Sequence, residues 1–167
     1  MKINDDHLYH GAALTQIVEH SQFTAINAFT VDGRISRSSF LVNNDIAVFL
    51  KYAEKPTKPF NEYSFTFHPN HLNEIESIEQ KTFVVLVCVR DRQICCILRD
   101  ELMDIIEERK REKTSDEDSY TILVTMPDGK SFRVYTNYPG KRKKSLKQRI
   151  VSRTRFPDVL FKDSKNA

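Results

Sequence analysis

Apolar and polar positions change period several times along the chain, and each change predicts an element. Between Asp5 and His20, Leu8, Ala12, Ile17 and Val18 roughly share one stripe with Leu14 beside it, a helical period that Asp5 or Asp6 can cap. Phe23–Thr30 reads as extended and ends at Asp32-Gly33, a turn pair. Ser39–Val42 is a second strand, closed by Asn43-Asn44-Asp45, residues that tolerate a left-handed backbone. Ile46–Ala53 is nearly continuous in apolar residues up to Lys51, the pattern of a central strand covered on both faces. Pro56 and Pro59 bound a loop before Tyr63–Phe67, where aromatics alternate with small polar residues.

The second half repeats this grammar. Leu72, Ile75 and Ile78 set a helix over about 70–81, with Glu74, Glu76 and Glu79 outside. Thr82–Val89 is a buried strand that turns back through Arg90-Asp91-Arg92 into Gln93–Leu98. A third helix runs from Asp100 to about Arg111, with Leu102, Ile105 and Ile106 inward. Residues 113–119 hold no apolar side chain and read as a mobile charged loop. Tyr120–Met126 and Ser131–Tyr135 flank Pro127-Asp128-Gly129 as a hairpin. Residues 137–149 read as a basic loop, followed by a short strand at 150–153 and a docking tail from Phe156 to Phe161. The sum is a single domain over residues 1–167 of α/β (mixed α+β) class, a central mixed sheet flanked by helices.

Composition sharpens that picture. The 167 residues are 40% hydrophobic, too apolar for a disordered chain, and the 11 Phe must fill a core that has no Trp. The longest apolar run, Phe83–Val89, is far short of the ~20 residues that cross a bilayer. Met1–Tyr9 carries acids and histidines where a secretory leader would be basic and then apolar, so a cytoplasmic protein with no membrane partner is expected. The net charge of +3 conceals a division. From Lys130 onward there are 12 Lys and Arg against 2 Asp, a net of +10, which leaves −7 for residues 1–129. Lys141, Arg142, Lys143, Lys144, Lys147, Arg149 and Arg153, with Arg155, therefore form a candidate grip for a nucleic-acid backbone, DNA ahead of RNA.

Other chemistry is thinner. Cys88, Cys95 and Cys96 are odd in number, and neighbouring Cys95 and Cys96 point to opposite faces of one strand, so buried thiols are expected. His7 and His10, and His68 and His71, are each spaced i,i+3, which suits surface positions and caps better than a metal site. There is no Gly-rich phosphate loop, and Ser36-Arg-Ser-Ser39 lacks the strained turn that activates a serine. Tyr63, Phe65 and Phe67 share one strand face, a core surface before it is a base-stacking platform.

Lys51 is the anomaly, because a charge inside an apolar strand costs free energy unless paired or wet. Glu19 on the first helix, Asp45 opening the strand, and Asp45-Ile-Ala-Val-Phe-Leu-Lys51 within this element order resemble the PD-(D/E)XK, or restriction-endonuclease-like, superfamily from about Leu8 to Ile106. The resemblance implies a restriction-endonuclease-like core and an endonuclease that hydrolyses phosphodiesters with Mg²⁺. Lys51 would then lie near the nucleophile, Asp45 (or Asp32) on the metal, and Glu19 would be the helix acid. Phe49 stands where that family has an acid two residues before the lysine. Two readings stay open: a migrated carboxylate such as Glu54 or Glu62 completes the site, or the fold binds without cutting. The rival class is a protein-interaction subunit docking its acidic helices, Glu74–Glu79 and Asp100–Glu108, on a basic partner.

Overall fold

Two left-handed turns organise the first sheet of the computed structural model, which describes residues 1–112 and 117–162. Asp32 and Gly33 (φ 49° and 78°) join β1 (Ile26–Val31) to β2 (Arg34–Val42), and Asn43 and Asn44 (φ 52° and 63°) join β2 to β3 (Ile46–Ala53). The Asn43 amide locks its turn, accepting from the backbone N–H groups of Thr24 and Ala25 and donating to the Gln22 carbonyl. β3 then pairs in parallel with β5 (Lys81–Cys88), which pairs antiparallel with β6 (Gln93–Leu98). The result is a mixed five-stranded sheet in the order β1-β2-β3-β5-β6. The central place expected for β3 follows from its sequence, since Ala47, Val48, Phe49 and Leu50 are all inaccessible to solvent.

A second sheet, β11-β8-β7-β4, takes β4 (Tyr63–Phe67), β7 (Tyr120–Thr125), β8 (Phe132–Tyr135) and β11 (Arg149–Val151). With α2 (Pro69–Ser77) and α3 (Arg99–Glu112) it covers one face of the first sheet. The core between them holds Phe49, Tyr63, Phe65, Phe67, Val84 and Leu86. This answers the question of the aromatic strand: those three rings are core. α1 (Asp5–Val18) and the C-terminal turn Asp158–Phe161 cover the other face through Ala13, Ile17, Val48, Leu50, Phe156 and Leu160. Cys95 joins the first core and Cys96 the second, as the alternation of a strand requires. Burial pushes the Cys88 and Cys96 thiols up to about 12 and Cys95 well above the usual range, so all three are poor nucleophiles.

Several expectations need correcting. The cap of α1 is Asn4, not Asp5 or Asp6, with His7 completing a capping box. The buried stripe of α1 is His10, Ala13 and Ile17, whereas Leu8 and Val18 are about half exposed. α2 stops at Ser77, short of Lys81, because Arg99 Nη1 reaches the carbonyls of Ile75 (3.1 Å) and Ile78 (2.6 Å) and closes the helix end. The segment taken for a basic loop is folded: β9 (Asn137–Tyr138) and β10 (Lys141–Ser145) form a hairpin about Gly140 (φ 74°), and β11 follows. Of the charged loop 113–119, residues 113–116 lie outside the described residues, while Glu117 forms a two-point ion pair with Arg109.

Candidate nucleic-acid interface and the Lys51 region

The β9–β10 hairpin lifts its cations off the protein. Lys141, Arg142, Lys143 and Lys144 are exposed, as is Lys147 beyond them. Among the described residues none of the five pairs with a carboxylate. Arg142 donates only to the Lys58 carbonyl (3.2 Å), and Lys144 lies over the Tyr138 ring (4.5 Å). Exposed Lys58 is thus brought beside the hairpin by a contact 84 residues apart in the chain. The other basic residues of the C-terminal region are engaged at home. Arg149 bridges Glu108 (2.7 Å), Arg155 bridges Glu101 (2.9 Å), and Arg153 donates to the carbonyls of Pro127 and Lys130 while covering the Phe132 ring. Eight residues of one charge therefore divide into five that face outward and three, Arg149, Arg153 and Arg155, that are tied to the protein itself.

Lys51 follows Phe49 on the β3 face that looks toward β4 and α2. Its Nζ lies 5.3 Å from the centre of the Phe67 ring, and burial lowers its pKa from the ordinary lysine value. His71 of α2 packs edge-on to Phe49, and burial, then Lys51, then His68 push its pKa down. His68 and His71 also build the start of α2, the His68 N–H donating to His71 Nδ1 (3.1 Å). On the opposite face of β3, Tyr52 packs at a tilt against Tyr9 (4.8 Å between ring centres, planes at 53°), and buried His10 sits edge-on to it. The neighbourhood of Lys51 is therefore an aromatic and imidazole wall.

The expected acids lie elsewhere. Asp45 and Lys51 mark opposite ends of β3, six residues of extended chain or about 20 Å apart. Asp45 lines a cavity with Lys81, Lys162 and Phe161. Glu19 ends α1 at the same extremity, beside His20, which stacks on Phe161 (4.2 Å). Glu19 and Asp45 thus both lie toward that end of the sheet, away from Lys51. Mg²⁺ asks for one or two carboxylates with room for water. Asp45 with two lysines is not such a donor set, and among the described residues no three His, Cys, Asp or Glu side chains converge as ligands. Asp32 lines a groove with Glu74 and Ser36 between the β1–β2 hairpin and α2. Glu54 follows β3 on the α1 side, where desolvation first and Glu54 next raise the Tyr9 pKa, while at Tyr52 burial, Asp6 and Asp5 come before it.

Glu62 is the site residue whose setting sequence reasoning missed. It precedes β4, is 4% exposed, and accepts a short hydrogen bond from the Tyr135 hydroxyl. With Ser64, Thr121, Thr136, Arg109 and Arg142 it lines a polar cavity of about 310 Å³ on the outer face of the second sheet. The signal was available in part: Glu62, Ser64 and Thr66 are the polar half of an alternating strand. No described helix is long and apolar enough to cross a membrane. No family model matches the chain, and no curated protein matches it.

Proposed function

We propose that this chain is a nucleic-acid-binding protein that grips a phosphate backbone through the β9–β10 hairpin, on a scaffold of restriction-endonuclease-like type. One observation carries the reading: four consecutive cations, Lys141–Lys144, stand exposed on a short strand with no carboxylate partner among the described residues. Such an array is unfavourable in isolation, through like-charge repulsion, and becomes favourable when phosphates replace its counterions. The negative remainder of the molecule repels the same polyanion and so orients its approach. The scaffold reading rests on the order of α1, the antiparallel β1-β2-β3 meander, α2 and a strand parallel to β3.

Binding and cleavage separate in this reading. Among the described residues no carboxylate pairs with Lys51, and Asp45 is at the far end of its strand, so no hydrolytic step is proposed. Fluorescence anisotropy with a labelled single-stranded dodecamer tests it. The triple variant Lys141→Glu, Lys143→Glu, Lys144→Glu is expected to weaken binding at least ~100-fold at low salt without shifting the melting temperature. Equal binding by the wild type and the triple variant would refute it. A plasmid incubated with the protein and Mg²⁺ stays intact. Nicking that disappears in Lys51→Ala would replace this reading with the endonuclease one.

A further inference from the structure

The cavity beside the hairpin has a chemistry that a backbone grip does not need. Its floor carries the Glu62 carboxylate, 4% exposed and held from one side by the Tyr135 hydroxyl. Its walls are hydroxyl-rich, with Ser64 and Thr121, and its rim is Arg142 of β10. The cations are unequal. Arg109 is matched by Glu117 at two points (2.8 and 2.7 Å) and by the Asn137 carbonyl (2.6 Å), so it is a wall element. Among the described residues Arg142 meets only a backbone carbonyl, so its charge is open. A ligand complementary to both ends offers N–H donors to a buried carboxylate and a phosphate to an arginine just outside. A nucleotide has both. At about 310 Å³ the cavity is at the small end of ligand sites, room for one nucleoside and not for a base pair.

Resting on the nucleic-acid reading above, we infer that this cavity takes a single unstacked guanine of a bound strand. Glu62 accepts from the guanine Watson–Crick edge while Arg142 holds the adjoining phosphate. Guanine is favoured by donor count: its N1–H and N2 amino group are adjacent and can meet both carboxylate oxygens. Thymine and uracil offer one N–H, and cytosine and adenine one amino group. One Glu62 oxygen already accepts from Tyr135, and a carboxylate oxygen has a second lone pair for the base. Recognition of a splayed base by its Watson–Crick edge is how single strands are read in general.

The test compares dT12 with the same strand carrying one central dG, and with inosine in that place, which lacks the 2-amino group. The wild type is expected to prefer the dG strand about tenfold over dT12 and to lose most of that preference with inosine. Glu62→Gln is expected to bring the dG-to-dT12 ratio to about one. Ser64→Leu, which fills the cavity and leaves Glu62 in place, does the same and serves if the first variant does not fold. A ratio of one in the wild type, or a ratio that both variants preserve, overturns the inference while leaving backbone binding intact. Binding of GMP as tight as that of the dG strand also overturns it, because the ligand would be a free nucleotide. Loss of all strand binding in the wild type would instead remove the nucleic-acid reading itself.

Discussion

Lys51 shows how one residue can be unusual in sequence and unusual again in space, for a different physical reason. Its ammonium is half-buried over Phe67, and burial lowers its pKa in the folded chain below the unfolded value. Below the folded pKa the group is charged in both states, and the burial penalty is fully present. Between the folded and unfolded pKa values the unfolded chain holds the extra proton, so stability rises with pH there. Lys51→Met, which keeps the stem and removes the charge, is therefore expected to raise the melting temperature at pH 7. Its advantage shrinks as pH approaches 10, and thermal melts at the two pH values check this. A pH-independent advantage would mean that packing, not charge burial, is the cause. His10 and His71 obey the same rule at lower pH, both depressed from 6.5 first by burial. As pH falls through 6.5 toward 5 the unfolded chain gains protons first and stability is lost. His10→Gln should flatten that acid limb in urea unfolding, apart from any shift at pH 7.

Among the elements, what was legible depended on how few partners an element needs. β3, β4 and β6 have the bounds read from sequence, because a continuous or alternating run ending at turn residues is a local property. α1 starts where the sequence places it and ends two residues early, and of the expected stripe only Ile17 is buried. The inner face is completed by His10 and Ala13, because a small residue and a histidine with a packed ring serve there as well as a larger aliphatic one. The end of α2 depends on Arg99, 22 residues beyond Ser77 and on another element. The Lys51 wall and the Glu62 cavity were harder still. Each draws on strands of two sheets, and Tyr135 is 73 residues from the carboxylate that it holds. A further tie of this kind fastens α2 to β2: Glu74 Oε2 accepts from the hydroxyls of Ser36 (2.9 Å) and of fully buried Ser39. Glu74→Ala strands the Ser39 hydroxyl and is expected to cost about 2 kcal/mol in urea unfolding. Ser39→Ala in that background should then cost little more, since the penalty lies in the orphaned hydroxyl.

For the whole molecule, charge counted along the sequence and charge available to a ligand are different quantities. The sequence puts eight cations between Lys141 and Arg155. Folding commits Arg149 and Arg155 to carboxylates and Arg153 to two carbonyls, which leaves Lys141, Arg142, Lys143, Lys144 and Lys147 for phosphates. Counterion release makes the difference measurable, because log K falls with log salt by about 0.7 per phosphate neutralised on a single strand. Eight contacts would give a slope of about −5.6, and five give about −3.5. Anisotropy titrations of dT12 over a range of salt concentrations should return the shallower value. Lys147→Ala should reduce it by about 0.7. Arg149→Ala should leave the slope in place and lower the melting temperature, since it breaks the bridge to Glu108. A slope near the steeper value would mean that the second sheet gives up its arginines to the ligand, and that the fold loosens when it binds.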